Sequence, residues 1–156
     1  MIKWNRKSAR RALIGISTVG ALAGLTAAPA SAAPPPALIN SGTIPVCEHQ
    51  TDVDTFVDVK PGDRLVIQAS GSIWTGYWFI GRNGPQGLWW LGGSDYPAPN
   101  QPADGLLMRA SGGYRFVGTG VSLNSTDPEG RLFFRINDNW PGNGNGCFTV
   151  SYQQYR

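Results

Sequence analysis

From residue 43 onward the chain is a succession of short β-forming runs cut by glycine and proline, and this punctuation limits the fold most. "TFVDV" (55–59) alternates apolar Phe56 with smaller partners and stops at "KPGD" (60–63). In that tetrapeptide Pro61 presets φ and Gly62 supplies a positive one. "RLVIQAS" (64–70) follows, so the pair predicts a β-hairpin. "SIWTGYWFIG" (72–81) is aromatic and β-branched but broken by Gly76, which predicts a bulge or a ligand approaching the backbone. "GLLMRA" (105–110), "YRFVG" (114–118), "RLFFRIND" (131–138) and "CFTVSYQQY" (147–155) read as further strands. Period-two alternation puts Leu132, Phe134 and Ile136 on one face, and Phe148, Val150 and Tyr152 on another inner stripe. No 3.6-residue periodicity appears in this region. The expected fold is all-β: a small antiparallel β-sandwich.

The first 32 residues are expected to lie outside that fold. Lys3, Arg6, Lys7, Arg10 and Arg11 precede an apolar run, "ALIGISTVGALAGL" (12–25), too short to span a bilayer comfortably. Ala30 and Ala32 then offer the small-x-small pattern of a signal-peptidase site. Cleavage near Ala32 predicts secretion of about 124 residues. Residues 33–42 read as a flexible lead-in and 43–156 as one sandwich domain.

Removal of the leader reverses the charge argument. The whole chain carries +3, but the five basic residues of the leader go with it, leaving about −2. No Lys/Arg cluster remains, so a nucleic-acid partner is not expected. No second long apolar run predicts a membrane span. Cys47 and Cys147 are the two cysteines, and in an exported protein one disulfide is expected, with two buried free thiols as the alternative. "NST" (124–126) fits a glycosylation sequon but reads more simply as a turn.

Two features suggest a ligand. "INDNWPGNGNG" (136–146) carries one carboxylate, Asp138, with Asn137, Asn139, Asn143 and Asn145 close by. Calcium takes six to eight hard oxygens from carboxylates, amides, carbonyls and water, and glycines allow carbonyls to turn inward. Asn-Gly pairs also serve plain hairpin turns, so turn and ion loop both stay open. Asp95 or Asp104, from the irregular stretch 82–104, would add a second carboxylate if that stretch folds over. The tryptophans are the second feature. Trp89, Trp90 and Trp140 are expected at the surface, where aromatic faces suit sugar rings; Trp74 and Trp78 are expected in the core. His49 stands alone, and Asp95, Asp104 and Asp138 have no fixed separation for paired-carboxylate hydrolysis, so an enzyme is not expected.

"KPGDRLVIQASG", "NGPQG", "GLLMRASG", "GRLFFRIND" and "GNGCFTVSY" occur in an order and spacing that resembles the galactophilic lectin of Pseudomonas (PA-IL type) and its extracellular β-sandwich relatives, over about residues 55–152. The resemblance implies a jelly-roll-like sandwich with a calcium ion bridging protein and sugar hydroxyls. Asp138 matches the family's calcium aspartate, and Asn143 one of its paired ligand asparagines. Gly144 stands where the second asparagine belongs, with Asn145 available by a one-residue shift. The backbone carbonyl of the early strand falls near Thr75. The family's sugar-contacting histidine and glutamine are absent; "LWWLGGSD" (88–95) occupies their place, with Trp89, Trp90, Trp140 and Asp95 as the expected sugar contacts. The resemblance also allows multimers, though no stripe identifies an interface. The expected function is a secreted, non-catalytic, calcium-assisted carbohydrate-binding protein with a cell-surface glycan as partner. The alternative is a structural or protein-interaction module whose calcium loop has decayed to a turn.

Overall fold

The computed structural model describes residues 34–124 and 129–156. The expected leader (1–32) and most of the turn expected at 124–126 lie outside the described residues. Eight strands follow in order: β1 Leu38–Cys47, β2 Val53–Val59, β3 Arg64–Trp74, β4 Leu106–Arg109, β5 Arg115–Phe116, β6 Gly120–Asn124, β7 Gly130–Ile136 and β8 Asn145–Tyr155. The described residues contain no helix. The first strand starts at Leu38, within the stretch expected as a lead-in, because 38–47 finds a full antiparallel partner in β8.

The strands form two four-stranded antiparallel sheets, in the orders β1-β8-β3-β6 and β2-β7-β4-β5. The pairs β1·β8, β2·β7, β3·β6 and β4·β5 nest like one long hairpin rolled up on itself. The rolled hairpin is sealed by β3·β8 in one sheet and β4·β7 in the other. This is the jelly-roll arrangement of a β-sandwich. The hairpin expected across 60–63 therefore does not form. The turn is real, with Gly62 at φ 90°, but it carries the chain from one sheet to the other, so β2 and β3 belong to different sheets. A turn signal encodes reversal, not the strand that the reversed chain will pair with.

Between the sheets the inward positions supply an apolar core. Leu132, Phe134 and Ile136 of β7 meet Phe148, Val150 and Tyr152 of β8, with Leu65, Ile67 and Ile73 beside them. Both stripes are those that period-two reading gives. Phe56 is different. It lies 76% exposed at φ 60°, where β2 bulges between Asp54 and Asp58, and the Arg131 guanidinium stacks on its ring. Its N–H donates to Asp54 Oδ1 (2.7 Å), which holds the bulge. Thr55, Val57 and Val59 take the inward places instead. β2 is an edge strand, and such a kink blunts an edge against further pairing.

Two covalent and ionic ties close the ends. Cys47 and Cys147 sit opposite each other in the β1·β8 ladder and form a disulfide that closes 100 residues. A loop of that length is stabilised by about 4–5 kcal/mol on chain entropy. At the other end of β8, buried Asp63 accepts from Arg156 Nε (2.7 Å), Gln154 Nε2 (2.6 Å) and Lys60 N–H (2.8 Å). The hydrogen bonds from Arg156 are the main reason its carboxyl is lowered to about 2 from 3.8. A depressed acid stabilises the fold above its unfolded value and loses that contribution as pH falls toward its folded one. We therefore expect Arg156→Ala to lower the urea midpoint at pH 7, with the difference shrinking as pH falls toward 2. Urea unfolding at the two pH values measures this; an equal loss at both would make the contact packing rather than charge.

Candidate functional site

The ends of β1, β3, β7 and β8 meet where Cys47 faces Cys147, Trp74 faces Asn145, and Leu106 faces Ile136. Three loops extend from this end: 75–81, 82–104 and 137–144. Gly76, at φ 85°, ends the β3 run and lets loop 137–144 approach. A Cβ on Gly76 would lie 2.9 Å from the Asn143 side-chain carbonyl carbon and main-chain oxygen. The glycine break in the sequence thus marks one loop passing against another.

Asp138 is buried at the base of this loop end. Its Oδ1 accepts from Trp140 N–H (2.9 Å), while its Oδ2 is buried without a hydrogen-bond partner. Burial raises its pKa, and the neighbouring Glu48 carboxyl raises it further. The Asn143 Oδ1 is buried and also lacks a partner. Buried Thr75 donates its hydroxyl to Asp104 Oδ2 (2.6 Å). Burial pushes the Asp104 carboxyl up to about 6, opposed by the Thr75 hydroxyl and assisted by the charges of Asp138 and Glu48. Buried polar atoms are normally satisfied, so orphaned oxygens on Asp138 and Asn143 in one loop are unusual.

The expected ligands thus divide. Asp138, Asn143 and Thr75 come to the same end of the sandwich. Asn145 does not offer its oxygen there: it is exposed at the start of β8, and its Oδ1 accepts from Arg82 Nη1 (2.8 Å). Nor can Gly144 be replaced by the asparagine of the lectin pattern, because a Cβ on it would overlap the Trp74 carbonyl oxygen. Asn137, one of the amides counted with the loop, faces the other way. Fully buried, it accepts from Ala98 N–H (3.0 Å) and donates to the carbonyls of Ala98 (3.1 Å) and Pro102 (3.0 Å). It pins the long segment 82–104, which is why that segment is ordered without helix or strand. Asp95 is exposed and accepts from Asn139 Nδ2, which draws the same segment toward loop 137–144.

One carboxylate at this end is not among the expected loop ligands. Glu48 is fully buried; its Oε1 accepts from Gly142 N–H (2.9 Å) and its Oε2 has no partner. Of the two carboxylates expected from segment 82–104, Asp104 is buried at this end while Asp95 stays exposed. The signal for Glu48 is present in the sequence: it follows Cys47, and Cys147 follows the loop. Among the described residues, no three His, Cys, Asp or Glu side chains converge as a metal-ligand group. An ion here would draw on amide and main-chain oxygens beside its carboxylates, which is chemistry that suits calcium better than zinc.

Aromatic rings stand around this end. Trp89 is 90% exposed and packs edge-on against half-buried Trp90; Trp140 is 71% exposed. Trp89 and Trp140 lie at the surface, as expected, whereas Trp90 is half-buried behind Trp89. Trp74 is half-buried, with its indole N–H donating to the Tyr77 carbonyl (3.1 Å). Trp78 corrects the core expectation, at 86% exposed, because β3 ends at Trp74 and the following residues form a turn rather than more strand. Tyr96 lies among them, its phenol pushed up to about 12 by burial and then by the charge of Asp104. A shallow depression on the outer face of the β1-β8-β3-β6 sheet, lined by Gln68, Ser70, Ser122 and Thr149, lies apart from these loops.

No protein-family profile and no curated protein matches the chain. Among solved structures, it is similar to the N-terminal domain of EclA, a PllA-like lectin, at 24% identity with a TM-score of 0.58. The match covers 75% of this chain and 97% of that one.

Proposed function

We propose that this chain, which has the fold of a PllA-like lectin, is a secreted, non-catalytic carbohydrate-binding protein that uses calcium. The observation that carries the reading is the pair of buried, unpartnered oxygens, Asp138 Oδ2 and Asn143 Oδ1, in one loop at the sandwich end. Calcium would be held by Asp138 and Asn143, with the Thr75 carbonyl close by. An ion held there would supply positive charge and oxygen coordination to sugar hydroxyls. The protein's own residues provide the rest: Trp140 and Trp89 offer exposed faces to sugar C–H surfaces, and the Tyr96 phenol offers a rim hydroxyl. The absence of the family's histidine and glutamine argues against carrying over galactose as the sugar.

A glycan panel presented in millimolar calcium tests the division of labour. Trp140→Ala is expected to weaken glycan retention at least about tenfold, the loss of one well-placed ring, with calcium affinity unchanged. Unchanged retention would remove Trp140 from the contact surface. The second reading, a structural module with a degenerate ion loop, is favoured by Gly144 at the asparagine position. It predicts no saturable calcium binding at all.

A further inference from the structure

We propose that Glu48 is a ligand-side carboxylate of this same ion site, and that the Cys47–Cys147 disulfide delivers it there. The inference rests on the cation reading but concerns a residue outside the lectin pattern. Glu48 sits one residue past the end of β1, and its N–H donates to the Gly146 carbonyl (3.0 Å). Its Oε1 accepts from Gly142 N–H, so the side chain is turned into loop 137–144 from the opposite side of the ladder. The Glu48 carboxyl neighbours Asp138 and raises its pKa, and both approach the same loop, Glu48 through Gly142 N–H and Asp138 through Trp140 N–H. Neither group can donate to the other when ionised, and each keeps one buried oxygen without a partner, Glu48 Oε2 and Asp138 Oδ2.

Two carboxylates facing each other away from water are unfavourable unless a shared proton or a cation joins them, and a cation that displaces the proton satisfies both. Among the described residues no basic side chain pairs with Glu48; the nearby Arg135 acts on Asp138 through its charge alone. A divalent ion between the two orphaned oxygens would satisfy both. It would also explain how the site functions with glycine at position 144. The oxygen lost on that side of the loop is made up from the β1 side, and as a charged ligand rather than a neutral one. Calcium affinity rises with the number of charged ligands and with the rigidity of the site. The disulfide supplies the rigidity. Cys47 precedes Glu48 directly, Cys147 lies near the start of β8 just past the loop, and their Cα atoms stand 3.9 Å apart.

Calorimetric calcium titration of the chelator-stripped protein tests this, with Glu48→Gln, Asp138→Ala and the Cys47→Ser/Cys147→Ser pair alongside. Glu48→Gln is expected to lose at least about tenfold in calcium affinity, while its ion-free form melts at or above the wild-type temperature, because a buried repulsion is removed. The cysteine pair is expected to lose affinity about tenfold as well, with folding verified by circular dichroism. Wild-type affinity in Glu48→Gln together with a lowered ion-free melting temperature would overturn the inference and make Glu48 a loop cap only. If Glu48→Gln does not fold, wild-type affinity in the cysteine pair overturns it. No calcium binding by the wild type would overturn both this inference and the cation reading; binding that Asp138→Ala removes and Glu48→Gln leaves intact would overturn this inference alone.

Discussion

Asp138→Ala is expected to lower calcium affinity by roughly a hundredfold or more while leaving the sandwich folded. The two halves of that expectation have separate causes. Asp138 carries a buried oxygen without a partner, and it is the carboxylate of the loop itself, so its loss removes the charge around which the amide and main-chain oxygens gather. Stability is affected by opposing changes. Alanine forfeits the bond from Trp140 N–H to Oδ1, a loss of about 1 kcal/mol. It also removes a carboxyl that burial and Glu48 both penalise in its charged form. The ion-free variant should therefore unfold close to wild type, and the variant should show no rise in melting temperature when calcium is added. Wild-type calcium binding by Asp138→Ala would mean that the ion site is elsewhere.

Gly144→Asn, which restores the lectin pattern at that position, is expected to destabilise the protein by about 3 kcal/mol or more and to weaken calcium binding rather than strengthen it. Besides overlapping the Trp74 carbonyl oxygen, a Cβ at 144 would lie 2.7 Å from the Trp74 carbonyl carbon and 2.9 Å from Thr75 Cα. These are main-chain atoms at the end of β3, where Trp74 pairs with Asn145, so no side-chain rotation relieves the overlap. The ladder must open at the point that also positions Thr75. Urea unfolding measures the loss as a lower midpoint at unchanged slope. A variant as stable as wild type that binds calcium more tightly would show that the loop can adopt the two-asparagine arrangement after all.

The period-two stripes were legible because each strand buries one face: Leu132, Phe134 and Ile136 could not point elsewhere without exposing the core. Sheet membership was not legible, because "KPGD" specifies a reversal and leaves the partner to long-range packing. Strand β6, Gly120–Asn124, buries no residue fully and depends on its ladder with β3, so its own sequence does not mark it as a strand. Phe56 misleads because its hydrophobicity suggests an inward place, while the Asp54 side chain and Arg131 stabilise an outward bulge.

The site divides in the same way. Asp138 and Asn143 are visible as oxygen donors close together in sequence. Asn137 is their neighbour, yet strand alternation at the end of β7 turns it to the opposite side, where it holds Ala98 and Pro102. Glu48 is separated from the loop by some ninety residues and becomes legible only once the disulfide is treated as a distance constraint on its neighbours.

The central claim, that an ion at Asp138 mediates glycan recognition, is tested most directly by one glycan array probed twice, in millimolar calcium and in excess chelator. The account predicts retention on a defined set of glycans in calcium and its loss in chelator. Equal retention under both conditions, or none on any glycan in calcium, would contradict it.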